Sequence, residues 1–470
     1  MGKLRLKIFS RFHTLSISKN QNFYKIFLVT GKFFKVFFLI GNMVYDKRLV
    51  SDYLIRKNKE IEQLKFVERE LKVDMIPNKA ISIIGPRRAG KSYFLKIIGR
   101  EFANPFYVDF ENTEVKYVEP NEVFEIIALH SEIFGSEAEI LLLDEIQNLK
   151  DWSSVVRSLL DRGFKVVVSG SSSKLLSKEI ATQLRGRTIS YLLLPFSFRE
   201  FLKLKKIFPE KYITLTKEAK IRRALREYLT QGGYPEIVLS ESDERKARIL
   251  KEYYHTILYL DFVERFELKS IEVARLIFDF FLQNYSNFFS VNKIANFLSS
   301  QGVKHGKSTV YEYVEKLPET FAVFFVERIS KSVYERKSWP KKAYICDLGL
   351  GNVVNPSENF GARMENSVFL ELLRESNKTA VREIFLFKNK EGNEVDFVIR
   401  EASRIKKLVQ VTYANSRDEI EHREVKSLIK ASDVLRCKDL LCITWDYEGE
   451  EKIKRKRVKF VPLWKWLLQE

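Results

Sequence analysis

The segment Gly85-Pro86-Arg87-Arg88-Ala89-Gly90-Lys91-Ser92 constrains this chain more than any other. It fits the pattern G-x-x-x-x-G-K-S. It stands between a short apolar run, Ala80-Ile81-Ser82-Ile83-Ile84, and a stretch of helical spacing from Ser92 to Phe102. An apolar run of that length ending in glycine reads as a buried parallel strand. In a strand–loop–helix context the glycines let the backbone curl, so that successive N–H groups face one anion. The helix N-terminus adds its partial positive charge. The whole of this segment is therefore expected to bind the phosphates of a nucleotide. Lys91 would reach the β- and γ-phosphates, and Ser92 would offer its hydroxyl to Mg²⁺.

A second apolar run, Ile140-Leu141-Leu142-Leu143, ends in the carboxylate pair Asp144-Glu145. At the C-terminal end of a strand beside a phosphate loop, Asp144 would hold the metal and Glu145 would orient or deprotonate an attacking water. The expected cofactors are ATP and Mg²⁺, and the expected chemistry is ATP hydrolysis with Glu145 and Lys91 as its catalytic pair. A purely regulatory nucleotide switch would need the same residues. Val166 to Gly170 reads as a further strand, and Ser171 and Ser172 just beyond it are candidate sensors of the terminal phosphate, against a plain turn. Arg185 and Arg187 are candidate arginine fingers, in cis or across a subunit boundary, against simple surface solvation.

Strands alternating with helices imply right-handed crossovers and a parallel sheet covered on both faces. The fold class is therefore α/β through about residue 195. Residues 196–270 read as a helical subdomain interrupted by the turn Gln231-Gly232-Gly233-Tyr234-Pro235. Residues 271–345 carry three short helical runs and the apolar segment Phe321 to Val326, the order of a winged helix-turn-helix. Residues 346–470 return to a helix followed by strands, an α/β arrangement.

Residues 1–42 differ from the rest. They hold eight Lys/Arg and no acidic residue. Lys25, Lys32 and Lys35 break the apolar stretch from Phe23 to Val44, which excludes an ordinary membrane-spanning helix. The alternatives are an interfacial basic helix or a gene-start error with Met43 as the true start. Without those charges the formal net of +19 falls to +11, so a basic character that suits a polyanion survives. Cys346, Cys437 and Cys442 form no ligand-like cluster and read as reduced core thiols. The expected location is cytoplasmic, without stable membrane insertion.

Taken together, several motifs resemble the prokaryotic AAA+-type, STAND-related P-loop ATPases of archaea and bacteria. These are the phosphate loop, Leu142 to Gln147, Ser169-Gly170-Ser171-Ser172, Leu184 to Arg187, Leu194 to Phe201, Gly232 to Glu236, Lys342 to Leu350 and Gly392 to Phe397. The resemblance spans about residues 50–470. It implies an AAA+-like sheet, ATP with Mg²⁺ and self-association, with a protein client left open. Leu260-Asp261 departs from the Arg-Asp pair often found in that family, so no arginine role is carried over there.

The tail is similar to a PD-(D/E)XK restriction-endonuclease-like core. Glu365 and Asp396 would be its metal carboxylates, whereas Gln410 and Thr412 stand where a carboxylate and a lysine are needed. A neutral amide is a weak metal ligand and threonine carries no charge, so the expectation is a nuclease-like fold without cleavage. Lys304 and Lys307, at the start of a predicted helix, are candidate DNA phosphate contacts, with Tyr311 and Tyr313 further along it. A protein-docking role for the same face stays open.

Overall fold

In the computed structural model, residues 46–170, 182–208, 213–330, 332–354, 359–379 and 381–469 are described, together with the backbone of three N-terminal strands. Those strands are β1 (Leu15–Asn20), β2 (Phe23–Thr30) and β3 (Phe33–Leu39), and they pair as an antiparallel meander. Strand pairing replaces the interfacial helix, one of the two readings given for this stretch. Runs of Phe, Ile and Val favour extended backbone, and two-residue connections suit hairpins.

Helix α1 (Lys47–Glu62) leads into a parallel five-stranded sheet. Its strands are β4 (Ala80–Ile84), β5 (Phe106–Asp109), β6 (Ile140–Asp144), β7 (Lys165–Ser169) and β8 (Thr188–Leu192), in the order β5-β6-β7-β4-β8. Alternate residues enter two cores. Leu141, Leu143, Val166 and Val168 pack on one face, and Ile81, Ile83, Leu142 and Val167 on the other. Helix α2 (Lys91–Gly99) follows β4 directly. Helices α3 (Glu122–Phe134) and α4 (Trp152–Asp161) complete the crossovers. The expected parallel P-loop sheet is present. Strand β8 is an addition, half-buried along its whole length and without the apolar run that would announce it.

Helices α5 (Phe198–Leu204), α6 (Leu215–Gln231), α7 (Pro235–Leu239) and α8 (Asp243–Thr256) form the next layer. Helix α8 runs on as a π-helical segment, Ile257–Glu264. Next come α9 (Ile271–Gln283), β9 (Asn287–Phe289), α10 (Val291–Ser300), α11 (Lys307–Lys316), β10 (Val323–Val326) and β11 (Lys341–Ile345). The three strands make an antiparallel sheet with β11 in the middle. To the three helical runs and the apolar segment expected there, the structure adds the strands β9 and β11 and a short helix, Val333–Ser338. Beyond it, α12 (Leu348–Gly351) and α13 (Phe360–Lys378) precede a six-stranded mixed sheet. In that sheet β12 (Arg382–Lys388), β13 (Glu394–Glu401) and β14 (Arg404–Val411) pair antiparallel. Helix α14 (His422–Leu435) then crosses to β15 (Leu440–Thr444), which lies parallel to β14. No helix among the described residues is long and apolar enough to cross a membrane.

One apolar cluster runs from Leu194 to Leu467, so the helical layer, the small sheet and the tail share a core. A polar lock sits inside it. Asp347, 2% exposed, accepts hydrogen bonds from the backbone N–H of Gly233 (2.6 Å) and of Gly349 (2.9 Å). Gly232 has φ +80°, and a Cβ there would meet Asp347 Oδ1 at 1.9 Å. Burial pushes the Asp347 carboxyl up to about 7, against the pull of backbone N–H groups from Gly233, Gly349, Leu350 and Tyr234.

A folded-state pKa raised above the unfolded value means that the associated stability is fully present at low pH and lost as pH rises through about 7. The stability advantage of wild type over Asp347→Asn should therefore shrink between pH 5 and pH 8, as read by thermal unfolding. Gly232→Ala should destabilise by about 3 kcal/mol or more, combining left-handed strain with the clash.

Candidate functional site

The phosphate loop leaves the C-terminal end of β4. Gly85 has φ +145°, and a Cβ on it would meet the Leu193 carbonyl oxygen at 2.2 Å. Gly90 lies in the left-handed region, φ +96°. Both positions need glycine. Lys91 begins α2, and its buried ammonium donates to the carbonyls of Gly85 (3.1 Å) and Pro86 (3.0 Å). Burial lowers its pKa, while the charges of Glu145, Asp144 and Asp261 oppose that shift. An arginine outside the motif braces the loop. Arg69, buried, donates to Ala89 O (3.0 Å) and Leu194 O (2.6 Å) and pairs with Glu200 at 3.0 Å. Glu200 also completes a capping box with Ser197, which gives the Leu194–Phe201 motif its physical reason.

Asp144 is fully buried, and its two oxygens are held from opposite sides. The Tyr107 hydroxyl donates to Oδ2 at 2.7 Å, and the Ser169 hydroxyl donates to Oδ1. Burial and the Asp144 charge raise the Tyr107 phenol well above its ordinary value. Glu145, φ +48°, turns out of the strand, and the Gln147 amide donates to its carboxylate. Asp109 is the register neighbour of Asp144. Burial pushes its carboxyl up to about 6, and the nearby Asp144 and Glu145 charges add to this. A cavity of about 860 Å³ opens here, lined by Arg87, Gly90, Lys91, Ser92 and Glu145 and also by Phe66, Phe196, Pro235 and Leu239. The lining thus combines charged and polar groups with apolar ones, as small-molecule sites commonly do. The oxygen donors Ser92, Asp144 and Glu145 fit Mg²⁺, a hard cation that prefers oxygen ligands.

A model of the family described as "AAA domain" matches residues 77–202. Two families described as domains of unknown function, DUF8612 and DUF4143, match residues 222–360 and 360–466. The uncharacterized protein MJ1544 of Methanocaldococcus jannaschii is 36% identical over 440 residues, covering 91% of this chain and 97% of that one. The chain belongs to this family of AAA-type P-loop ATPases. An uncharacterized protein of Haemophilus influenzae is 28% identical over 397 residues, covering 82% of this chain and 94% of its own. The crystal structure of Cdc6p from Pyrobaculum aerophilum aligns at 11% identity over 67% of this chain and 93% of its own, with a TM-score of 0.22. That score is too low to bear on the fold.

Other residues singled out from the AAA-type sequence fall in different places. Ser171 and Ser172 lie outside the described residues. Arg185 and Arg187 stand at the opposite end of the sheet from the phosphate loop. The Arg187 carbonyl accepts from Ala80, the first residue of β4, and the Arg187 guanidinium pairs with Asp161. Neither reaches the cavity of its own chain, so the in-cis finger is corrected. Lys304 and Lys307 are exposed before and at the start of α11, and Tyr311 is exposed with them. Tyr313 is buried and belongs to the core.

The tail carboxylates converge on an unexpected cation. Lys342 of β11, 5% exposed in its side chain, lies 3.0 Å from Glu365, 2.8 Å from Glu394 and 2.8 Å from Asp396. Tyr344 also donates to Glu365, at 2.7 Å. Gln410 Nε2 (2.8 Å) and the Val411 N–H (2.9 Å) donate to Asp396 Oδ2. Thr412 lies past the end of β14 and uses its N–H on Ile443 O. The cluster therefore does contain a lysine. It arrives from the neighbouring small sheet rather than from the Thr412 position. Burial opposes its charge, yet Asp396, Glu365 and Glu394 hold Lys342 protonated, its pKa raised well above the usual value. Glu365 is pushed up by burial and by Asp396.

Lys342→Met should leave these carboxylates buried without their cation and destabilise the fold by about 3–5 kcal/mol in urea unfolding. Adding Glu365→Gln to that variant should recover part of the loss.

Proposed function

We propose that this protein is a Mg²⁺-dependent ATPase that couples nucleotide state to a DNA-gripping, non-cleaving region formed by the winged-helix segment and the tail. The observation that carries the ATPase part is the convergence of Gly90, Lys91, Ser92 and Glu145 on a single cavity. Lys91 would exchange its contacts with the Gly85 and Pro86 carbonyls for the β- and γ-phosphate oxygens. Ser92 and Asp144 would hold the metal, whose positive charge offsets charge building up on the transferring phosphoryl group. Tyr107 and Ser169 fix the Asp144 carboxylate in place. Glu145, turned into the cavity, would orient water and accept its proton. Pro235 and Leu239, which line the cavity from the helical layer, would support the base. That layer is locked through Gly233 and Asp347 to the rest of the chain, which supports coupling between nucleotide and tail.

Three features favour DNA as the partner. The net charge is +19, Lys304 and Lys307 are exposed at the N-terminal approach to α11, and three helices followed by β10 suit a winged-helix reading. Cleavage is disfavoured because Gln410 stands where a metal carboxylate is needed, while Glu365 and Asp396 are engaged in ion pairs with Lys342.

Steady-state phosphate release and nucleotide titration test the enzyme. Lys91→Ala should abolish nucleotide binding, whereas Glu145→Gln should bind ATP and lose turnover. Unchanged turnover in Glu145→Gln would remove its assigned role. For the partner, fluorescence anisotropy of a labelled duplex across a salt series should show binding that weakens steeply with salt. Replacing Lys304 and Lys307 together should flatten the log–log slope by about 1.8, at about 0.9 per phosphate contact. Absence of binding at low salt by folded, ATP-loaded protein would favour a protein partner instead.

A further inference from the structure

We infer that Arg87 is an arginine of the phosphate pocket that the loop itself supplies, and that Asp261 is its positioning residue. This rests on the ATP-site reading above. Arg87 donates from Nε to both carboxylate oxygens of Asp261, at 2.7 and 2.9 Å. The contact is side-on and consumes Nε alone. A guanidinium carries five N–H donors in a planar fork. No hydrogen bond from Nη1 or Nη2 to another described residue accompanies the Nε pair. Arg87 lines the same cavity as Lys91, Ser92 and Glu145, whereas Asp261 does not. Asp261 is 3% exposed and stands behind the arginine. The arrangement presents the two terminal amino groups to the cavity and fixes the rest of the side chain from the rear.

The choice of anchor is informative. Glu145 and Glu111 also line the cavity, and their charges act on Arg87. The guanidinium nevertheless takes Asp261, from 174 residues away in sequence, as its hydrogen-bonded partner. A terminal phosphate, were ATP bound in this pocket, would match two parallel N–H donors. Arg87 would thus supply in cis the charge that Arg185 and Arg187 are too distant to bring.

The anchor also has a route outward. Asp261 belongs to the π-helical segment, at whose end Arg265 N donates to Leu260 O, five residues back. Such segments are often found at functional sites. In the same segment Phe262 packs edge-on against Tyr313 of α11. Just beyond it, Arg265 donates to the Glu319 carbonyl at 2.9 Å. The Arg87–Asp261 pair therefore joins the phosphate wall to the helix that carries Lys307.

The test uses the full chain with fluorescent ATP and ADP analogues, phosphate release and a thermal melt of every variant. Arg87→Ala should weaken ATP relative to ADP by about ten- to a hundred-fold, the range for hydrogen bonds to a charged group. Arg87→Lys should behave like the alanine variant, because an ammonium cannot be gripped side-on while offering a planar fork. Asp261→Asn should shift the ATP-over-ADP preference in the same direction, and Asp261→Glu should restore part of it. The double variant Arg87→Met/Asp261→Asn leaves no buried charge unpaired and serves as a folded reference. In it the asparagine should add nothing to the arginine's loss. An unchanged ATP-over-ADP preference in Arg87→Ala overturns the inference while leaving the ATP reading intact. An Asp261→Asn variant that weakens both nucleotides equally, or adds its full effect to the double variant, overturns the positioning role. Failure of the wild-type chain to bind either nucleotide overturns both.

Discussion

The buried carboxylate of Asp347 is the contact on which the assembly of the parts depends. It holds the Gly233 amide at the mouth of the helix that lines the nucleotide cavity, and it caps its own short helix through Gly349. An ionisable group in an apolar core is costly unless its lone pairs are taken. Here the two glycine-bearing motifs supply the donors and the room for them. A side chain at Gly232 would collide with the carboxylate, and one at Gly349 would meet the Gln231 carbonyl oxygen at 2.2 Å. Small residues at both places are the condition for the close approach.

The nucleotide site and the tail cluster solve opposite problems with similar groups. In the first, Lys91 rests on backbone carbonyls that a stronger acceptor can displace. In the second, Lys342 is surrounded by three carboxylates that no neutral or weakly charged ligand can outbid. One ammonium is poised to change partners and the other is committed. The distinction lies in what the lysine touches and not in how deeply it is buried, since both are nearly inaccessible.

The legible parts of the sequence were those governed by local chemistry. The phosphate loop could be read because backbone N–H groups converge only where glycine allows it. Strands β4, β6 and β7 could be read because burial on both faces demands unbroken apolar runs. Strand β8 escaped because half-buried residues at a sheet edge carry neither an apolar run nor a clear alternation. Asp144 was foreseen but its supports were not. Tyr107 and Ser169 come from neighbouring strands, and Ser169 is signalled only by a hydroxyl residue closing the run Val166-Val167-Val168. Lys342, Glu394, Arg69 and Asp261 were missed as site residues for one reason. Each meets a partner far along the chain, and periodicity holds no record of such pairings. The basic N-terminal stretch misled in the other direction, since lysines spaced among aromatics fit a helix face and a strand meander equally well.

The π-helical stretch has a consequence for how this chain tolerates change. An α-helix advances about 100° per residue, and a π turn takes up one residue more than the α turn it replaces. Loss of a single residue between Ile257 and Glu264 would let ordinary pairing resume, turning Asp261 away from Arg87 or swinging Arg265 off Glu319. The segment is therefore strict in its count though lenient in its composition. Bulk can be exchanged at its buried positions, but a one-residue gap there would separate the anchor of Arg87 from the contact with Glu319.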